Sequence, residues 1–109
     1  MGQFSLKIII VIRESSIQLP MNGTISCRFF LDECVIYNQF TAETHMLGGM
    51  GAEIFNVISK NSITRNQLLQ YISNIFMVET DFDIETYMDN LILEYQQLGL
   101  LVVSMNYSA

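Results

Sequence analysis

The chain has no tryptophan, one proline, one histidine and few cations. Its five basic residues, Lys7, Arg13, Arg28, Lys60 and Arg65, stand against eleven acidic ones, for a net charge of −6. Phosphate binding needs clustered Lys and Arg. The balance therefore argues against nucleic acid and against an anionic membrane surface as partners. Two cysteines, Cys27 and Cys34, are too few for a disulfide framework or a zinc site. The longest apolar run, Ile8–Ile12, falls far short of the ~20 residues of a membrane span. It is also shorter than a signal-peptide core, and no small-residue cleavage site follows it. These absences read as a cytoplasmic chain in a reducing compartment, with no membrane partner.

Catalytic chemistry is also scarce. A Ser–His or Cys–His nucleophile pair has to use His45, the one histidine. It lies in a strand-like stretch beside Thr44, with no acid at a motif spacing. Cys27, Cys34 and His45 are the soft metal candidates, and the strand pattern separates the cysteines. Asp81, Asp83 and Glu85 lack the glycine and terminal glutamate of a calcium loop. Gly48-Gly49-Met50-Gly51 precedes a helix, but no Gly-Lys-Ser/Thr follows, so it is not a P-loop. The expectation is a protein that is not an enzyme and has no catalytic residue, metal or cofactor.

What is present is apolar: 50% of 109 residues, enough for one compact domain with a real core. Residues 1–26 stand apart as an N-terminal extension with one strand, Leu6–Ile12, followed by a turn-rich stretch. A bare strand of this kind invites edge pairing. Within 27–109, Arg28–Leu31 and Cys34–Asn38 read as strands joined by a tight Asp32-Glu33 loop. That loop sets Leu31 opposite Cys34 and Cys27 opposite Asn38, leaving the cysteines too far apart to bond. Gln39–Ala42 makes a turn, and Glu43–Leu47 is the third strand.

Three helices follow the break at Gly48-Gly49. The first runs from Met50 to Lys60 and buries Ala52, Ile54, Phe55 and Ile58. In the second, Thr64 and Gln67 form a capping box, with Ile63 and Leu68 placed as a hydrophobic staple. Its buried side is Leu68, Leu69, Ile72, Ile75 and Phe76. The third starts near Asp81, with acids at the positive end of its dipole. Ile84, Met88, Leu91, Tyr95 and Leu98 share its apolar face. Gly99 is its C-cap, and Leu100–Val103 is a short terminal strand. The fold class is α+β and winged-helix-like: a small, three-stranded antiparallel sheet, then three helices and a terminal strand. Helix-turn-helix architecture raises DNA binding. Asp81–Leu98, however, carries five carboxylates and no Lys or Arg, so it repels the duplex.

The segments Val35–Asn38, Gln39–Ala42, Glu43-Thr44-His45-Met46-Leu47 and Ala52–Phe55 resemble the start of PqqD-family domains. The similarity is greatest to the subgroup associated with HPr-kinase-related systems. Thr64–Leu69, Leu91 and Leu98–Leu101 continue the resemblance, which covers about Cys27–Val103. Where the family often has glycine, this chain has Ala42. The resemblance implies a peptide chaperone that captures the leader of a precursor peptide and presents it to a modifying enzyme, here one that is HPr-kinase-related. The leader adds as a strand to the third strand and lies against the third helix. Those positions are Glu43, Thr44, His45, Met46 and Leu47 in this chain.

On the helix, two flanks mix apolar and polar residues: Asp89, Ile92 and Gln96 on one, and Tyr87, Asn90 and Glu94 on the other. Either flank is a candidate for the groove. Met88, Leu91 and Tyr95 read as core, and Ile92 stands between the two roles. An acidic groove of this kind prefers a leader with Lys or Arg near an apolar anchor. The alternative is a structural or oligomerisation module of a larger complex, a homodimer formed through Leu6–Ile12, in which the third strand's edge is occupied.

Overall fold

The computed structural model describes residues 15–76 and 82–105. The strand expected at Leu6–Ile12 and the helix start expected at Asp81 lie outside them. The described chain is α+β. Three strands, β2 (Ile25–Phe30), β3 (Glu33–Asn38) and β4 (Glu43–Gly48), form one antiparallel sheet in the order β2-β3-β4. Helices α1 (Gly49–Ile58), α2 (Arg65–Ile75) and α3 (Ile84–Gln97) follow, and strand β6 (Val102–Ser104) comes last.

Two further strands were not legible. β1 (Ser16–Gln18) falls in the stretch read as turn-rich, and β5 (Ile63–Thr64) precedes α2. Together with β6 they form a second small sheet, β5-β1-β6. Its register pairs Ile17 with Ile63 on one side and with Val103 on the other. Ile17 is buried in the same core as Ile36 and Phe55, and the boundary drawn between residues 26 and 27 falls inside β2.

The β2–β3 loop corrects the sequence reading. Phe30 pairs with Glu33, so the loop is Leu31-Asp32, one residue earlier than expected. Leu31 takes a left-handed φ of 52°, a conformation that disfavours a branched side chain. The shift preserves which side chains face inward, because the partner moves by two positions. It also brings the cysteines together. Cys27 lies opposite Ile36 and Cys34 opposite Phe29, a diagonal placement that makes the two thiols neighbours on the inner face. Both cysteines are free.

The β3–β4 turn is organised by Asn38. Its buried Oδ1 accepts from the Phe40 N–H at 2.9 Å and from the Thr41 N–H at 3.3 Å. Ala42 closes the turn at φ 60°. The capping box of α2 is present in both directions, with Gln67 N–H to Thr64 Oγ1 at 3.2 Å and Thr64 N–H to Gln67 Oε1 at 3.3 Å. Leu68 and Ile72 are buried, but Ile75, expected on the buried side, is exposed because the helix ends there. Asp83 caps α3, its Oδ1 accepting from the Thr86 N–H and its Oδ2 from the Thr86 hydroxyl. At the other end Leu100 N–H reaches Tyr95 O and Gly99 N–H reaches Gln96 O. With Gly99 at φ 75° this is a Schellman cap. Leu98, expected on the apolar face, is exposed at this end, and Leu100 and Leu101 turn into the core instead.

Candidate functional site

Strand β4 is an edge. Among the described residues it pairs with β3 and has no partner on its other side. Its backbone therefore presents donors and acceptors along one margin. Natural sheets guard such margins with Lys, Pro or a bulge. β4 reads Glu-Thr-His-Met-Leu-Gly and has none of these residues.

The candidate residues of β4 alternate in direction. His45 lies opposite Ile36 and Leu47 opposite Cys34, and both are half-buried on the inner side. Thr44 lies opposite Tyr37 and Met46 opposite Val35, and both are exposed on the outer face. Glu43, exposed at the strand's start, donates its N–H to Thr41 Oγ1 at 3.3 Å. His45 is one full strand away from Cys27, with Ile36 between them in the same cross-strand row. Among the described residues, no three His, Cys, Asp or Glu side chains come together in a way that holds a metal ion.

The candidate residues of α3 divide between two flanks. Met88, Ile92 and Tyr95 form its buried line, and Ile92, at 7% exposure, is part of the core. To one side Asp89 binds Arg65 through both oxygens, Nε to Oδ1 at 2.8 Å and Nη2 to Oδ2 at 2.6 Å. Glu85 adds a third contact to Arg65 Nη2 at 2.7 Å. Gln96 lies farther along this side. With Ile17, Val103 and Met105 it borders a mostly apolar cleft of about 300 Å³. This flank therefore faces α2 and the second sheet.

The opposite side of the buried line carries Tyr87, Leu91, Glu94 and Leu98, by helical spacing. Tyr87 is exposed and its ring lies 5.6 Å from that of Phe82. Tyr95 ties α3 to α1. Its ring meets Phe55 edge-on at 5.3 Å, and its hydroxyl abuts Gly51. Burial pushes the Tyr95 phenol up to about 12, helped by the charges of Glu94, Tyr87 and Cys34. Burial likewise pushes the Cys34 thiol up to about 12, with Cys27 adding to it.

Arg65 is the residue that sequence reasoning missed. It is the first residue of α2 and nearly fully buried. Its partners lie in a distant helix, and nothing local marks it. The ion pairs hold its proton far more firmly than usual, Asp89 contributing most, against the opposing cost of burial.

These elements define an α+β domain in which β4 is an edge strand, with no membrane-spanning helix among the described residues. No family model matches the chain, and no curated protein matches it. The chain is similar in fold to a solved structure, TbiB1, determined in complex with the TbiA(beta) leader peptide. The two superpose with a TM-score of 0.67 at 14% identity, over 84% of this chain and 99% of that one.

Proposed function

We propose that this protein is a non-catalytic peptide-binding adaptor of the PqqD-like, winged-helix kind. It captures the leader segment of a precursor peptide by strand addition and presents it to a modifying enzyme, an HPr-kinase-related one on the resemblance of its strand and helix segments. The observation that carries this reading is the free margin of β4, which among the described residues has no partner strand and carries no lysine, proline or bulge. An added strand gains main-chain hydrogen bonds there without strict sequence demands, and pockets for alternate side chains supply selectivity.

The likeness to TbiB1, a protein solved with a leader peptide on it, supports the same reading. In this proposal the leader lies between β4 and the Tyr87 flank of α3. The Asp89 flank is already engaged with Arg65 and the second sheet. The lone histidine sits in a row with Ile36 and Cys27, which supplies no base–nucleophile contact.

The test is titration of the isotope-labelled protein with the N-terminal segment of a candidate precursor peptide, followed by amide NMR. The expected result is shifts confined to residues 43–47 and to the Tyr87 side of α3. Tyr87→Ala should weaken binding about tenfold, the ~1.4 kcal/mol of one lost aromatic anchor, while Gln96→Ala leaves it unchanged. Shifts centred on the cleft beside Gln96 and Val103 would instead favour a module that docks to a larger complex.

A further inference from the structure

We infer that the peptide is read on both faces of the added strand, with a second apolar anchor packed outside the sheet beside Met46. This inference rests on the adaptor reading above and extends it to the chemistry of the peptide.

A sheet with one face on the core normally turns polar residues outward. Here the outer face carries an apolar patch of Val35, Tyr37 and Met46 among polar neighbours, and the patch reaches the β4 edge at Met46. Arg28, Val35 and Met46 form one cross-strand row, and Ser26, Tyr37 and Thr44 form the next. Val35 is half-buried, Tyr37 is 41% exposed and Met46 is 69% exposed. Large apolar side chains thus stand in adjacent outward positions with no cover among the described residues. Directly opposed side chains on neighbouring strands lie ~5 Å apart. A fourth strand paired with β4 therefore continues these rows, and its outward residue next to Met46 extends the Val35–Met46 surface. Methionine suits this position, because its flexible thioether accommodates partners of varied shape.

The inner side chains of the same peptide point the other way, toward His45, Leu47 and the helix. Successive residues of a strand face opposite sides. A peptide anchored on both faces thus carries two adjacent apolar residues, rather than apolar residues only at alternate positions. The occupant is therefore an extended peptide with an apolar pair.

The experiment pans a display library of random twelve-residue peptides against the full chain and maps the selected peptides by amide shifts. Apolar pairs at adjacent positions should be enriched. Met46→Lys, which changes an exposed side chain and leaves the core intact, should weaken the selected peptides at least tenfold. The equally charged control Asn74→Lys, on exposed α2 surface, should not. Peptides that bind β4 with apolar residues at alternate positions only, and that tolerate Met46→Lys, overturn this inference and leave the adaptor reading standing. Absence of any β4-binding peptide overturns both. A wild-type dimer by sedimentation that Met46→Lys converts to a monomer also overturns the inference, because a second copy then covers the outer face.

Discussion

The hydroxyl of Tyr95 occupies the space that a β-carbon at position 51 requires. Gly51 is in the first turn of α1 and is buried, and Tyr95 is held by its contact with Phe55. Neither can retreat without disturbing the layer between helices and sheet. Gly51→Ala should therefore destabilise the protein by about 1–3 kcal/mol through overpacking, despite the helix propensity it gains. Tyr95→Phe in the same chain removes the clashing oxygen and should restore most of the loss. Denaturant midpoints of the two single variants and the double variant measure this, and additive losses would show that the two positions do not meet.

Arg65 should behave as a buried charge with two supporting carboxylates. Arg65→Ala leaves Asp89 and Glu85 facing each other without a cation. Their side chains are about 40% exposed, so water recovers part of the loss. We expect a cost of about 2–3 kcal/mol, below that of a fully buried pair. A loss under about 0.5 kcal/mol in urea unfolding would mean that the ion pair contributes nothing net.

Alkaline pH should unfold the protein earlier than its acidic residues suggest. Cys34 and Tyr95 are acids whose folded-state values are raised, from 9.0 and 10.0, to about 12 each. The unfolded chain loses these protons first, so the native state binds more protons and stability falls as pH rises. The contribution is complete below pH 9. It declines through the thiol first and then through the phenol, and is gone above about 12, with a slope of roughly 1.4 kcal/mol per pH unit for each group. Tyr95→Phe and Cys34→Ala should each flatten the decline. Urea midpoints between pH 8 and 11 provide the check, and an unchanged slope in both variants would refute the assignment.

Ala42 sits at φ 60°, where an L side chain is strained. Ala42→Gly should stabilise the β3–β4 turn by about 1 kcal/mol or less, the relief being offset in part by the greater entropy of glycine in the unfolded chain. A thermal midpoint lower than that of the wild type would count against it.

The sequence showed most plainly what is local. The Thr64–Gln67 box, the Gly99 cap and the strands read at Cys34–Asn38 and Glu43–Leu47 each depend on residues a few positions apart, and each appears as read to within one residue. The β2–β3 loop was misplaced by one residue because Asp32-Glu33 looks more turn-like than Leu31-Asp32, and the observed loop accepts Leu31 in an unfavourable conformation. β1 was missed because Ser-Ile-Gln has little strand character of its own. Its partners, Ile63 and Val103, lie far along the chain. Ile92 illustrates the same limit at the candidate site. Its place on the apolar stripe allowed either role, and the decision came from Arg65, whose grip on Asp89 rotates that flank of α3 toward the second sheet. The sequence placed the third strand at Glu43–Leu47 but left open whether its edge is free; that edge, and the side of the helix facing away from Arg65, emerged from three-dimensional packing.

The second sheet has a kinetic consequence. Pairing Ser16 with Ser104 closes nearly the whole described chain into a ring. Such long-range contacts are slow to form, because loop closure precedes any reward from pairing. The β2–β3–β4 meander is built from neighbouring hairpins and needs no such closure. Strand β4 is thus assembled from quick, near-neighbour contacts, and the clasp formed by the second sheet is expected to fasten last.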